Sequence, residues 1–215
     1  MIRSYLSEFL GTFLLVLIGC GAETIGKTWP LVFIAISWFL AVLIPILTMK
    51  KLGSTHFNPA VSLAFWAKGN LASKNLMAFW AVQFVGAVLA AFTIKMFFGN
   101  PELVGNNIPK VNAGWQFLTE FGFSFTLMLT ILFTEKMERY APFLVSLVVG
   151  VNVYLAGLYT TLGMNPARSF GPALATNNYT QLLIFISAPM MGMLLSIFIF
   201  KNYAKEKPAG ALHRK

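Results

Sequence analysis

The chain has 215 residues, of which 57% are hydrophobic and only 11% charged, with a formal net charge of +9. Soluble domains carry about 25% charged residues, so this deficit places the chain in a membrane and excludes an ordinary soluble domain. A single cysteine, Cys20, excludes an internal disulfide and reads as a small apolar residue near a helix end.

Apolar runs of about 20 residues, enough to cross roughly 30 Å of hydrocarbon, recur along the sequence. The first is expected at 4–22. It has the short basic start of a signal peptide, but Glu8 interrupts its apolar run and no Ala-x-Ala site follows, so it reads as a retained span. The second is expected at 30–50. The next apolar segment, 58–68, opens with Asn58-Pro59-Ala60 and has only about half the length needed to cross. Further spans are expected at 74–98, 114–134 and 141–162. A second short segment, 165–176, opens with Asn165-Pro166-Ala167, and a last span is expected at 180–201. The expected fold is an all-α membrane protein with six transmembrane helices and two half-membrane re-entrant helices, in a single domain over 1–215.

The basic residues give this arrangement a direction, because lysine and arginine accumulate in cytoplasmic loops. With the N-terminus inside, Arg3, Lys50, Lys51, Lys68, Lys74, Lys136, Arg139, Lys201, Lys205, Lys207, Arg214 and Lys215 are cytoplasmic, against Lys27, Lys95 and Lys110 outside. Both termini are therefore expected in the cytoplasm, and the expected location is the plasma or inner membrane. The positive charge needs no nucleic-acid partner: it is scattered over loops and tail beside the headgroups of the lipid bilayer.

The chain also repeats itself. Ser7-Glu8-Phe9-Leu10-Gly11-Thr12-Phe13 is echoed by Thr119-Glu120-Phe121-Gly122-Phe123-Ser124-Phe125, the Asn-Pro-Ala triplet returns, and Gly86 corresponds to Gly192. The halves are approximately 1–110 and 111–215. Three spans per half is an odd number, so the second half enters the membrane upside down. A ten-residue helix is about 15 Å long, half the hydrocarbon thickness. The two short helices then enter from opposite sides and meet near the midplane, where irregular backbone is tolerated only against protein or a watery cavity. Inverted repeats with broken helices at that depth point to a transport pathway.

The triplets suit such a meeting point. Asn is a strong N-cap, Pro fits the first helical position, and Ala permits close approach. Capping consumes the Asn oxygen and is expected to leave the amide NH₂ free to donate into a lumen. Each helix adds roughly half a positive charge at its N-terminus. Two donors and two positive dipole ends favour a neutral guest with an acceptor oxygen and repel cations, hydronium included.

These motifs resemble the aquaporin (major intrinsic protein) family over nearly the whole chain. The matching residues are Glu8-Phe-Leu-Gly-Thr12, His56-Phe57-Asn58-Pro59-Ala60-Val61, Gln83 with Gly86, and Asn165-Pro166-Ala167-Arg168-Ser169-Phe170-Gly171-Pro172. The resemblance implies a homotetramer with one passive pore per subunit, for water and small neutral solutes such as glycerol. By the family's offsets it also implies a selectivity filter of Trp38, Val153, Leu162 and Arg168. Strict water channels carry Phe, His, a small residue and Arg there. Trp and Val resemble glycerol facilitators and, more closely, the plant nodulin-like subgroup. Ser169 and Ala173 follow the water-channel pattern, Phe185-Ile186 depart from it, and Leu162 replaces a small residue and narrows the opening.

The family resemblance implies that Glu8 and Glu120 accept bonds from the loops carrying the half-helices. His56 ties down its loop, and Gln83 bonds among packed helices. The alternative function is a secondary transporter using Glu8 or Glu120 for coupling. An enzyme finds no support: there is no nucleophile triad, phosphate loop, cofactor motif or metal cluster, and His56 and His213 are the only histidines. A junction protein with a closed pore is the remaining reading.

Overall fold

The computed structural model describes residues 1–98 and 104–206, with side chains through Tyr203. Lys207, His213, Arg214 and Lys215 lie outside the described residues, as does the side chain of Lys205. Regular structure among the described residues is helical: α1 (Ile2–Ile25), α2 (Leu31–Met49), α3 (Pro59–Lys68), α4 (Ser73–Phe98), α5 (Ala113–Thr134), α6 (Ala141–Gly157), α7 (Pro166–Thr176) and α8 (Leu182–Glu206). In hydrocarbon every backbone N–H and C=O must find a partner within the chain, and a helix supplies it locally. The helices α1, α2, α4, α5 and α8 are long and apolar enough to cross a membrane.

Two boundaries differ from the sequence expectation in ways that matter. The first helix runs to Ile25 rather than stopping at 22, which brings Glu23 inside a span. The fifth span, expected over 141–162, ends as a helix at Gly157. At 17 residues α6 is about 26 Å long. The chain then leaves helical geometry over 158–164 and returns inward to reach α7.

Both short helices stop on left-handed residues, Gly69 (φ 96°) after α3 and Asn177 (φ 53°) after α7. A lysine from a neighbouring span reaches each C-terminal end: Lys201 Nζ donates to Ala67 O at 2.8 Å and Lys95 Nζ to Ala175 O at 2.7 Å. These cations meet the negative ends of the half-helix dipoles. The ion pair of Lys68 with Glu135 also ties the end of α3 to the α5–α6 connection.

Packing is paired across the two halves. As α1 lies on α4 and α2, so α5 lies on α8 and α6. As α3 packs on α8 and α4, so α7 packs on α4 and α8, while α2 meets α6 and α3 meets α7. The core between them is formed by small and branched residues such as Val16, Ala60, Ala64, Ala87, Ala91 and Ala167. Small side chains let backbones approach where no hydrophobic drive separates protein from lipid. Cys20 is fully buried in this core.

Candidate functional site: two capped half-helices beside a cavity

Asn58 caps α3 by accepting from Ala60 N at 2.9 Å, and Asn165 caps α7 by accepting from Ala167 N at 3.1 Å and Arg168 N at 3.3 Å. Pro59 and Pro166 follow at positions where the missing N–H is no loss. Across the junction, Asn58 Nδ2 donates to Met164 O and Asn165 Nδ2 to Phe57 O, each at 2.8 Å. The amides are therefore not wholly free, as the sequence suggested. One N–H of each is spent on the opposite half, because a carbonyl at this depth needs a donor; one N–H of each remains.

Phe57 (φ 50°) and Met164 (φ 51°), which precede the two caps, both adopt the left-handed conformation. Bulky residues seldom do so, and the strain costs about 1–2 kcal/mol per residue. The conformation lets each residue offer its C=O to the facing Asn while its N–H reaches a buried carboxylate. Glu8 accepts from His56 N at 2.8 Å and Phe57 N at 2.7 Å; Glu120 accepts from Gly163 N at 2.6 Å and Met164 N at 2.8 Å. Gln83 Nε2 also donates to Glu8 Oε2 at 2.8 Å and to Ser62 Oγ at 2.9 Å. The His56 ring stacks on Phe65 with centroids 4.6 Å apart, and its Nδ1 lies 3.1 Å from Ser62 Oγ. Glu8, Glu120 and Gln83 are fully buried, and none of the three lines the cavity beside the caps.

That cavity has a volume of about 910 Å³. One end is bordered by Lys50, Lys51, Glu138 and Arg139; it passes Asn58 and Asn165 and ends against Trp38, Val153 and Leu162. Three of the four residues expected at the filter thus share its inner end. The fourth, Arg168, lies over the Trp38 ring with its Cζ 4.8 Å from the centroid.

Arg168 does not present its donors freely to a lumen. It is 1% exposed, and Nη1 donates to Gly105 O at 3.1 Å and Asn107 Oδ1 at 2.6 Å. Nη2 donates to Glu23 at 3.1 Å and 2.9 Å, one contact to each carboxylate oxygen. Only Nε has no partner. The same Glu23 Oε1 accepts the Trp38 indole N–H at 2.8 Å. A buried guanidinium is tolerated only with such pairing, so these contacts are what allow Arg168 to sit here. Gly105 (φ 64°) packs so tightly on Cys20 that a Cβ would come within 2.5 Å of it.

Sequence reasoning missed Glu23, Gly105 and Asn107. An available signal was the need of an intramembrane arginine for a carboxylate partner, with Glu23 beside the end of the first expected span. Nothing local marked Gly105 or Asn107, whose roles depend on a chain segment folding back over α7.

Two half-helices joined cap to cap inside six spanning helices, beside a cavity that passes their tips, define a membrane channel of the inverted-repeat class. A sequence profile of the family described as "Major intrinsic protein" matches residues 1–200, and the chain belongs to that family. It is a passive channel for water and small uncharged solutes and not an enzyme. The chain is similar to Aquaporin NIP1-1 of Zea mays, 34% identical over 200 residues that cover 89% of this chain and 71% of the relative. It is similar also to a probable NIP-type aquaporin of Nicotiana alata, 29% identical over 208 residues that cover 93% and 77%. Its fold matches the structure of the aquaglyceroporin from Plasmodium falciparum with a TM-score of 0.82 at 23% identity, over 94% of this chain and 96% of the other.

Proposed function

We propose that the cavity past Asn58 and Asn165 is the conduction path, and that Trp38, Val153, Leu162 and Arg168 are its selectivity filter. The observation that carries this reading is the continuity of the cavity: one space touches both caps and three of those four side chains. Water is the first solute, taken from Asn58 to Asn165 by the remaining amide N–H groups. A water bound through its oxygen at that point turns its hydrogens away, which breaks a continuous proton wire. Paired half-helix dipoles with a nearby arginine are the established barriers to protons and cations in pores of this class, and protons and ions are excluded here on the same physical grounds.

Glycerol and other small polyols are candidate solutes, because the broad face of Trp38 with Val153 gives a carbon backbone an apolar wall. Leu162 opposes their passage by filling that end of the cavity. In this reading the chain is one channel domain built of repeats 1–110 and 111–215, with both termini in the cytoplasm, in a plasma or inner membrane. The subunits assemble as a homotetramer, consistent with outward apolar side chains such as Phe33, Leu40, Leu147 and Leu155. The secondary-transporter alternative loses its coupling residues, since both oxygens of Glu8 and of Glu120 already hold backbone N–H groups.

The test is a permeability panel of water, glycerol and urea in proteoliposomes containing wild type or Leu162→Ala. The substitution is expected to raise glycerol flux more than water flux, by several-fold. An equal change for both would remove Leu162 from the filter.

A further inference from the structure

We propose that Glu23 is a specificity-determining residue of the outer constriction: its carboxylate cancels the charge of Arg168, so the constriction is electrically neutral and Arg168 is needed chiefly to mask Glu23. This rests on the conduction path proposed above and revises one part of that reading: the half-helix dipoles remain a barrier to cations, while the charge of Arg168, counted there as a second barrier, is cancelled by Glu23.

The geometry is that of a paired charge. Glu23 projects from the last turn of α1 and reaches Nη2 with both carboxylate oxygens, at 3.1 Å and 2.9 Å. Opposite charges in direct contact present a dipole to anything farther off, and its field falls away faster than that of a single charge. The partners differ in exposure: the Arg168 side chain is 1% exposed and that of Glu23 is 25% exposed. The carboxylate is therefore the more accessible member of the pair. The Trp38 indole N–H, which could have served as a filter donor, is also held by this carboxylate. Among the described residues Arg168 has no other carboxylate in contact; its remaining acceptors are the neutral Gly105 carbonyl and Asn107 amide.

Breaking the pair from either side leaves the other charge uncompensated. Removing the guanidinium alone leaves an anion in a site of low dielectric, held only by the indole N–H and attractive to small cations. Removing the carboxylate charge alone leaves an uncompensated guanidinium, attractive to small anions.

The experiment compares wild type, Glu23→Gln, Arg168→Val and the double variant in proteoliposomes. Osmotic shrinkage first shows that each forms a pore; methylammonium and nitrate fluxes are then divided by water flux. Arg168→Val should raise relative methylammonium flux by about tenfold or more, and adding Glu23→Gln should return it near wild type. Glu23→Gln alone should raise relative nitrate flux by at least about threefold. A double variant that leaks methylammonium as strongly as Arg168→Val would overturn the proposal, since a merely structural Glu23 gives no rescue. If Arg168→Val forms no pore, the nitrate result with Glu23→Gln decides alone, and an unchanged ratio overturns the proposal. Absent water flux in wild type would instead contradict the pore reading itself.

Discussion

Glu8 and Glu120 each receive two consecutive backbone N–H groups from a loop that has no helix or sheet to supply partners. A carboxylate is the only small side chain with two acceptors and no donor, so its amide analogue cannot substitute. In Glu120→Gln one loop N–H would face an NH₂, and the buried donor would lose its partner at a cost of about 3 kcal/mol. The expected outcome is a clear fall in the thermal midpoint in detergent, with a matching fall for Glu8→Gln; unchanged midpoints would contradict this role. The matched positions of both glutamates were legible from the internal repeat, but their loop-holding role was legible only through the family resemblance, because an intramembrane acid taken alone points first to proton coupling. Glu23 was not legible in the same way. At the repeat's offset of 112 it falls on Glu135, but the two acids take different partners: Glu135 pairs with Lys68, and Arg168, the partner of Glu23, stands 145 positions away in sequence.

At the scale of elements, the half-helices announce themselves locally. Asn at the cap, Pro at the first helical position and an apolar run too short to span are all visible without tertiary information, and both helices start where the triplets put them. The end of α6 is decided otherwise. Residues 158–162 are apolar enough to continue the span, but the chain must turn inward so that Gly163 and Met164 reach Glu120. Close crossings are the other element-scale device. A Cβ on Gly86 would lie 2.6 Å from Phe9 O, and one on Gly192 would lie 2.2 Å from Phe121 O, so α4 on α1 and α8 on α5 cross at matched glycines. Gly86→Ala and Gly192→Ala should each destabilise the protein by about 1–3 kcal/mol through overpacking against backbone. Gly122→Ala, where a new Cβ meets nothing within 4 Å, is the control and should change little. Midpoints measured in one detergent would check the ranking, and equal effects at all three sites would refute the crossing argument.

For the whole molecule, the paired packing and reciprocal Asn58 and Asn165 bonds make the midplane junction a shared property of both halves. Each half caps its own half-helix and supplies its own loop acceptor, but the tie between the tips is shared, since each Asn amide donates to a carbonyl of the other half. The cavity beside the junction is the consequence, and conduction through it is the claim on which everything else depends. The most direct measurement is osmotic water permeability of proteoliposomes as a function of temperature. Water moving in file past the caps should give rapid shrinkage with an activation energy close to that of free water diffusion. Shrinkage no faster than in empty vesicles, with the steep temperature dependence of lipid permeation, would contradict it.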